Sequence, residues 1–310
     1  MGGLKVCITG AAGFLGQAAV SEARRRGHGV CAVVRHISQV PLAWAADPAI
    51  RVVEADLSKP GRSVQQAVAE ADSLLHLAAR MRGDDAQMRA GTLAPTRALL
   101  ALQPRRFVLA SSLSVYDATA LPPHDALDET CRTERRPNLR DAYCRAKLAQ
   151  ETLVLQSGTN AWILRIGILY GQGRLWNAHL GLRLGRLVIG PAGGQLPLCH
   201  VRTAAAALVR GAEQAPRGIE IVNVLDDQLP ERGVYIAALR ARGDVSRHLP
   251  VGWSVPYFLA GLVRDRGPGL LRRPVVAARL KPLTYPNRRM QARLGPLSTA
   301  DWHAAMEEPA

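Results

Sequence analysis

Aromatic residues and long apolar segments are scarce in this chain of 310 residues. Phe, Trp and Tyr make up 5% of it and no nucleic-acid-binding motif is present, so we expect no nucleic-acid partner. The longest apolar run, residues 249–263, is too short and too broken by proline to span a bilayer. Residues 1–5 lead straight into a predicted strand without a signal peptide, which favours a cytoplasmic protein.

Cysteine is rare, and its spacing excludes the usual metal-binding patterns. The five cysteines are Cys7, Cys31, Cys131, Cys144 and Cys199. None of their spacings resembles a zinc or iron–sulfur motif, so we expect no metal site. Cys7 and Cys31 fall in predicted core strands, which indicates the reduced thiols of a cytosolic protein.

Lysine is also rare, because arginine supplies nearly all of the basic residues behind a formal net charge of +15. This charge is explained by a solvated arginine-rich surface without a specific role, or by a pocket for an anionic substrate such as a nucleotide diphospho-sugar. Attraction to a membrane surface is a further alternative. The candidate arginines in the second half are Arg174, Arg183, Arg186, Arg202, Arg272 and Arg273. Of these, we predict that Arg174 and Arg202 bind substrate.

A strand, a glycine turn and a helix follow one another at the amino terminus. The apolar run 4–9 is typical of a strand, and residues 17–24 have a helical pattern. Between them, Gly10 permits a tight turn, Gly13 permits close approach of a pyrophosphate, and Gly16 permits close packing of helix on strand. This order predicts a dinucleotide-binding site whose phosphates face the helix N-terminus.

The end of the second predicted strand indicates which dinucleotide is bound. In NAD-specific folds an acidic residue at this point accepts a hydrogen bond from the ribose 2′-hydroxyl. Here the strand 29–34 is followed by Arg35. A guanidinium suits the 2′-phosphate of NADP, so we predict NADP, with NAD as the alternative.

Tyr143 and Lys147 form a second motif. They are four residues apart in a predicted helix, so their side chains lie on the same face. A phenol and an ammonium held in this way can transfer a proton, and the cation is expected to lower the pKa of the tyrosine.

These motifs together resemble the extended short-chain dehydrogenase/reductases, also called the NAD-dependent epimerase/dehydratase family. The resemblance covers nearly the whole chain and its motifs occur in the family's order. They are the glycine turn 9–16, Asp56 and Leu57 after the third strand, His76-Leu77-Ala78-Ala79 after the fourth, Ser112 to Tyr116 after the fifth, Tyr143 with Lys147, and residues 164–171.

The resemblance implies a role for each matched residue. Ser112 would hydrogen-bond the substrate oxygen, Tyr143 would exchange a proton with it, and Lys147 would hold the nicotinamide ribose. Ser111 and Ser114 are alternatives to Ser112. The cofactor-binding residues implied are Gly10, Gly13, Phe14, Leu15, Gly16, Arg35, Asp56, Leu57, Leu77, Ala78, Ala79, Tyr143 and Lys147.

Several departures from the family pattern narrow the expected chemistry. Thr92 stands where the family often has Asn, and the segment at His200 lacks the family's Asp. Sugar dehydratases of the family carry an Asp-Glu pair beside the catalytic hydroxyl, whereas Ser112 is followed by Leu113 and Ser114. Elimination of water needs a general acid and a general base, so this absence argues against a dehydratase.

The predicted fold is α/β: a Rossmann-type doubly wound parallel sheet with a smaller carboxyl-terminal substrate-binding lobe. We place the dinucleotide-binding domain at 1–171 and the lobe mainly at 172–310, with some segments returning to the sheet. The predicted function is an NAD(P)-dependent epimerase or ketoreductase of a nucleotide-linked sugar. Two alternatives remain: an NADPH-dependent reductase of a small hydrophobic ketone, such as a flavonol- or steroid-like substrate, and a non-catalytic NADP sensor. The resemblance also implies a homodimer formed through the helices flanking the active site.

Overall fold

A seven-stranded parallel sheet forms the centre of the protein in the computed structural model, which describes residues 3–262, 271–297 and 301–307. The strands are β1 (Lys5–Thr9), β2 (Gly29–Val34), β3 (Ile50–Glu54), β4 (Ser73–His76), β5 (Phe107–Ser112), β6 (Ala161–Ile166), β7 (Ile168–Tyr170), β8 (Leu182–Leu184), β9 (Leu187–Gly190), β10 (Leu198–His200), β11 (Ile219–Val224) and β12 (Arg247–Pro250). The helices are α1 (Phe14–Arg25), α2 (Arg62–Glu70), α3 (Asp85–Met88), α4 (Ala94–Leu100), α5 (Ala142–Leu155), α6 (Val201–Glu213), α7 (Arg232–Ala241), α8 (Ser254–Leu262), α9 (Arg273–Leu280), α10 (Arg288–Leu294) and α11 (Trp302–Glu307).

The strand order of the central sheet is β11-β6-β5-β4-β1-β2-β3. Chain progression reverses at β1, which pairs with β2 on one side and β4 on the other. In a doubly wound sheet this reversal opens a crevice at the carboxyl ends of the strands, where ligands bind. The predicted Rossmann-type sheet is therefore confirmed, and the residues that follow β1, β4 and β5 meet at one edge.

Helices cover both faces of the sheet, and each layer has its own apolar core. One core joins the sheet to α1, α6 and α10 through side chains such as Val20, Ala205 and Met290. The other joins it to α2, α4 and α5 through Val68, Leu99 and Val154. Burial of these faces fixes the helices on the sheet and so fixes the turns that begin them.

The second half of the chain builds a smaller set of elements beside the carboxyl edge of the sheet. β7 pairs with β10, and β8, β9 and β12 form a three-stranded sheet. An apolar cluster that includes Tyr170, Leu198 and Tyr235 holds these elements together. β11 and α6 lie instead with the central sheet, so the chain passes between the two parts more than once. Among the described residues no helix is long and apolar enough to cross a membrane.

Candidate active site

The turn between β1 and α1 has a shape that only glycine permits. Gly10 has a φ of +69°, and a Cβ there would lie 2.9 Å from the backbone N of Ala78. A Cβ on Gly16 would overlap the carbonyl oxygens of Gly10 and Ala11. α1 begins directly after Gly13, which contributes no side-chain cap, so the first amides of the helix remain available to an anion. The geometry suits the pyrophosphate of a dinucleotide.

This turn opens into a cavity of about 910 Å³. Its lining includes all of the predicted cofactor residues, namely Gly10, Gly13, Phe14, Leu15, Gly16, Arg35, Asp56, Leu57, Leu77, Ala78, Ala79, Tyr143 and Lys147. Ser112 and Arg174 line it too, and the guanidinium of Arg174 lies 4.6 Å from the ring centre of Phe14. Arg202 is not brought there: it is exposed on the first turn of α6 and is absent from the lining.

Ser112, Tyr143 and Lys147 converge from two elements. Ser112 ends β5, and its hydroxyl accepts a hydrogen bond from the backbone N–H of Ser114 at 3.2 Å. Tyr143 and Lys147 lie in the first turns of α5, with the Lys147 Nζ 5.9 Å from the Tyr143 ring centre. The Ser112 hydroxyl lies close enough to the Tyr143 phenol to lower its pKa. A serine hydroxyl, a phenol and an ammonium thus lie together in the cavity wall.

The two other serines of this segment are placed differently. The Ser111 hydroxyl is buried and donates to the Glu151 carboxylate at 2.5 Å, which takes it out of the reacting position. The Ser114 hydroxyl is buried with no hydrogen-bond partner among the described residues, while its carbonyl accepts from Arg140 at 2.8 Å. Ser112 is therefore the serine whose hydroxyl reaches Tyr143.

The spacing of Tyr143 and Lys147 predicted a lowered pKa for the tyrosine, and this prediction is wrong. Burial raises the pKa of the phenol to about 12, and the nearby Ser112 hydroxyl only partly opposes this rise. Burial penalises the phenolate, and Asp141 adds to the penalty. At neutral pH the phenol is therefore protonated and can act as a proton donor.

Lys147 is almost completely buried and is held by two oxygen acceptors. Its Nζ donates to the carbonyl of Ala110 at 2.7 Å and to the side-chain Oε1 of Gln150 at 2.9 Å. Burial lowers the pKa of Lys147 to about 8, and the nearby Glu151 carboxylate opposes this shift. The lysine is mostly an ammonium at neutral pH, but it is the group of this site that loses its proton first as pH rises.

A buried hydrogen-bonded network extends from Gln150 to the glycine turn. The Gln150 amide donates to the Thr96 hydroxyl at 2.8 Å, and Thr96 donates to the Thr92 carbonyl at 2.7 Å. His76 Nε2 lies 2.9 Å from the same Thr96 oxygen, and its Nδ1 lies 2.8 Å from the Thr9 hydroxyl. The Thr96 hydroxyl uses its own hydrogen in the bond to the Thr92 carbonyl, so it can only accept from His76. His76 must therefore donate through Nε2 and accept at Nδ1. The network joins Lys147 to the residue before Gly10.

Replacing Gln150 by Leu is expected to move the alkaline limb of the kcat/KM profile to lower pH by about one unit. The Gln150 oxygen stabilises the ammonium of Lys147, and a hydrogen bond to a charged group contributes roughly 1.5–3 kcal/mol. Without it the pKa of Lys147 falls further below 8, so activity is lost earlier as pH rises. The measurement is a pH–rate profile between pH 6 and 10.

Gln150→Glu provides the matched control. A carboxylate at that position favours the ammonium, so its alkaline limb should move to higher pH. If both variants lower the rate uniformly and leave the limb in place, Gln150 has only a packing role.

The substrate end of the cavity combines apolar and ionisable side chains that no local sequence pattern indicated. Leu113, Leu127, Val275, Ala278 and Tyr285 line it together with Arg140, Asp141, His179 and Arg279. Burial, with Arg279, Arg232 and Arg140 nearby, lowers the pKa of His179 to about 3, so its ring is neutral. No group of three or more metal-ligating side chains occurs within the described ranges.

Comparisons with known proteins agree with this geometry. The model of the NAD dependent epimerase/dehydratase family matches residues 6–224. A 3-diazoavenalumate denitrifying reductase from a Streptomyces species is 31% identical over 242 residues, which cover 73% of this chain and 77% of that protein.

Two solved structures share the fold over nearly the whole chain. MoeE5 in complex with UDP-glucuronic acid and NAD is 20% identical, with a TM-score of 0.70, over 97% of this chain and 96% of that one. UDP-glucuronic acid 4-epimerase from Bacillus cereus in complex with NAD is 17% identical, with a TM-score of 0.71, over 98% and 96%.

Proposed function

Because this chain belongs to the NAD-dependent epimerase/dehydratase family, we propose that it catalyses reversible hydride transfer at a carbinol or ketone carbon, with Tyr143 as the acid/base. The observation that carries the proposal is the convergence of Ser112, Tyr143 and Lys147 in the wall of the cavity that also holds the glycine turn. A bound nicotinamide dinucleotide supplies or accepts the hydride. Tyr143 gives its proton to the substrate oxygen in reduction and takes it back in oxidation.

The proposed roles of Ser112 and Lys147 follow from their contacts. Ser112 presents a hydroxyl beside the phenol and so can hydrogen-bond the same substrate oxygen. The Nζ of Lys147 lies 5.9 Å from the Tyr143 ring centre and can donate to the ribose while remaining fixed by Ala110 and Gln150. The chain's own part in catalysis is to position the reactants and to move the proton.

The leading substrate class is a nucleotide-linked sugar. MoeE5 binds UDP-glucuronic acid on the same fold, and Arg174 places a guanidinium in the cavity of this chain. We propose an epimerase or ketoreductase rather than a dehydratase, because no carboxylate follows Ser112. Asp141 does line the cavity, but it caps α5 by accepting from Cys144 at 2.8 Å and pairs with Arg279 at 3.4 Å.

A second candidate is an NADPH-dependent reductase of a small hydrophobic ketone. Two observations favour it: the apolar side chains Leu113, Leu127, Val275 and Ala278 at the substrate end, and the 31% identical relative, which is a reductase. Either enzyme would be a cytoplasmic homodimer under this proposal.

The stoichiometry of NADPH consumption distinguishes these functions. Purified protein is incubated with NADPH and, separately, with UDP-4-keto sugars, UDP-sugars and hydrophobic aryl ketones. A ketoreductase consumes one NADPH per product, whereas an epimerase interconverts UDP-sugars without net consumption. Reduction of aryl ketones alone selects the second candidate, and the absence of hydride transfer to every substrate contradicts the proposal.

We propose NADP as the cofactor, and Arg35 is the residue that tests it. Arg35 is exposed directly after β2 and lines the cavity, and its guanidinium is a suitable donor to a 2′-phosphate. Arg35→Ser is expected to weaken NADP+ binding at least about tenfold and to change NAD+ binding by less than about twofold, because only NADP+ loses a charge-assisted hydrogen bond. Titration calorimetry measures both affinities.

Arg62→Ser is the matched control, since Arg62 is an equally exposed arginine outside the cavity lining. It should leave both affinities unchanged. Tighter binding of NAD+ than of NADP+ by the unmodified protein would overturn the cofactor proposal.

A further inference from the structure

One face of α8 exposes a row of large apolar side chains. Val255, Phe258, Leu259 and Leu262 are 48%, 62%, 51% and 65% exposed. Phe258, Leu259 and Leu262 follow Val255 by three, four and seven residues, which places all four side chains on one side of the helix. Single exposed apolar side chains are ordinary on protein surfaces, but a continuous row of this kind indicates an interaction surface.

The other side of α8 is occupied by the protein itself. Ala260 is buried, and Tyr257 packs on an apolar cluster that includes Ala277 of α9. The guanidinium of Arg273, the first residue of α9, lies 5.3 Å from the ring centre of Tyr257. α8 is therefore fixed on α9 by one side and presents the apolar row outward.

The three-stranded sheet that leads into α8 adds exposed apolar side chains. Leu182 and Leu249 both pair with Ile189 in the sheet register, so the three share one face. Leu184 lies two residues along β8 on that same face. Leu182, Leu184 and Leu249 are all exposed. Only residues 251–253 separate β12 from α8.

The charge around this surface is strongly positive. The described residues 245–262 and 271–281 contain four arginines and one lysine and no acidic residue. The net charge of the whole chain is +15. Repulsion between like charges opposes the pairing of two copies through this surface and favours an anionic partner. An apolar helix face bordered by arginine matches the interface of an anionic lipid bilayer, which takes apolar side chains and attracts basic ones.

We propose that α8 rests in the headgroup region of an anionic membrane, with Val255, Phe258, Leu259 and Leu262 toward the lipid. α8 has nine residues and so is about 14 Å long, far shorter than the hydrocarbon thickness, which restricts it to lying in the plane of the interface. The segment 263–270, with its two arginines, lies outside the described residues.

This docking would bring the cavity close to the lipid surface. α9 lies directly beneath α8, and Val275, Ala278 and Arg279 of α9 line the substrate end of the cavity. Among the described residues, α9 therefore contacts the lipid-facing helix and also lines the cavity.

Vesicle flotation of the full chain tests the proposal. The protein is mixed with vesicles of phosphatidylcholine alone or of equal phosphatidylcholine and phosphatidylglycerol, at low and at high salt. The unmodified protein should float with the anionic vesicles, and at least about fivefold less should float with the neutral ones or at high salt. Phe258→Ser combined with Leu262→Ser should reduce flotation with anionic vesicles by a similar factor.

Leu42→Ser combined with Val234→Ser is the matched control, because both residues are exposed and neither lies on α8. It should float like the unmodified protein, and unchanged NADP+ affinity would show that both double variants are folded. Three results would overturn the proposal. They are no flotation of the unmodified protein, an equal loss of flotation in the control variant, or a molar mass in the absence of lipid that differs between the unmodified protein and the Phe258→Ser, Leu262→Ser variant. The last result would make the surface an interface between copies of the chain.

Discussion

Tyr143→Phe is expected to lower kcat about a thousandfold while leaving NADP+ affinity within about twofold of that of the unmodified protein. The change removes the proton that the phenol gives to the substrate oxygen. It keeps the ring, which fills the same space in the cavity wall. Because Lys147 is held by Ala110 and Gln150 rather than by the phenol, its position should be unaffected. Steady-state kinetics and calorimetry measure the two quantities.

Tyr116→Phe is the matched control for this variant. Tyr116 also lines the cavity, but its hydroxyl is buried and donates to Asn223 at 2.7 Å. Its removal leaves the Asn223 oxygen unsatisfied and should cost about 1–3 kcal/mol of stability, with less than a tenfold change in kcat. If Tyr143→Phe keeps more than a tenth of the activity of the unmodified protein, Tyr143 is not the proton donor.

The cavity wall around the glycine turn could be predicted from sequence because its residues follow the ends of strands. Gly10, Arg35 and Leu77 come directly after β1, β2 and β4, Asp56 is the second residue after β3, and parallel strands bring their carboxyl ends to one edge. Short apolar runs mark those strands clearly. A correct assignment of strands is therefore enough to gather these residues around one cavity.

The orientation of Arg202 could not be predicted from the sequence. His200 ends β10, and Arg202 lies in the first turn of α6. Which side of this helix faces the cavity depends on how α6 packs against the central sheet. Residues 203–209 of α6 are all buried, whereas Arg202 is exposed.

The pKa of Tyr143 could not be obtained from sequence for a related reason. The spacing of Tyr143 and Lys147 places a cation near the phenol, but its effect competes with burial, which only the packed structure reveals. Arg140, His179 and Arg279 lie far apart in the chain, and each is an ordinary residue in its own segment. They line the same part of the cavity because the second half of the chain folds back over the sheet edge.

Beneath the serine segment lies a buried ion pair that is expected to control the stability of the site. The side chains of Glu151 of α5 and Arg165 of β6 are 4% and 5% exposed. The guanidinium donates from Nε at 3.0 Å and from Nη2 at 2.7 Å, one hydrogen bond to each carboxylate oxygen. Ser111 donates to the same carboxylate, and Arg165 lies 4.6 Å from the ring centre of Tyr116. The pair ties α5 to β5 and β6, directly next to Ser112.

Glu151→Gln is expected to lower the free energy of unfolding by about 3–5 kcal/mol, because it leaves the Arg165 guanidinium buried without a counter-charge. Asp85→Asn is the matched control: Asp85 also pairs with an arginine, Arg145 of α5, at 2.8 Å, but this pair is solvent-exposed and its loss should cost less than about 1 kcal/mol. Urea unfolding followed by circular dichroism measures both differences. Replacing Glu151 and Arg165 together by Leu and Met should recover part of the loss, since the buried charge is then gone. Equal, small costs for Glu151→Gln and Asp85→Asn would show that the buried pair does not anchor α5 to the sheet.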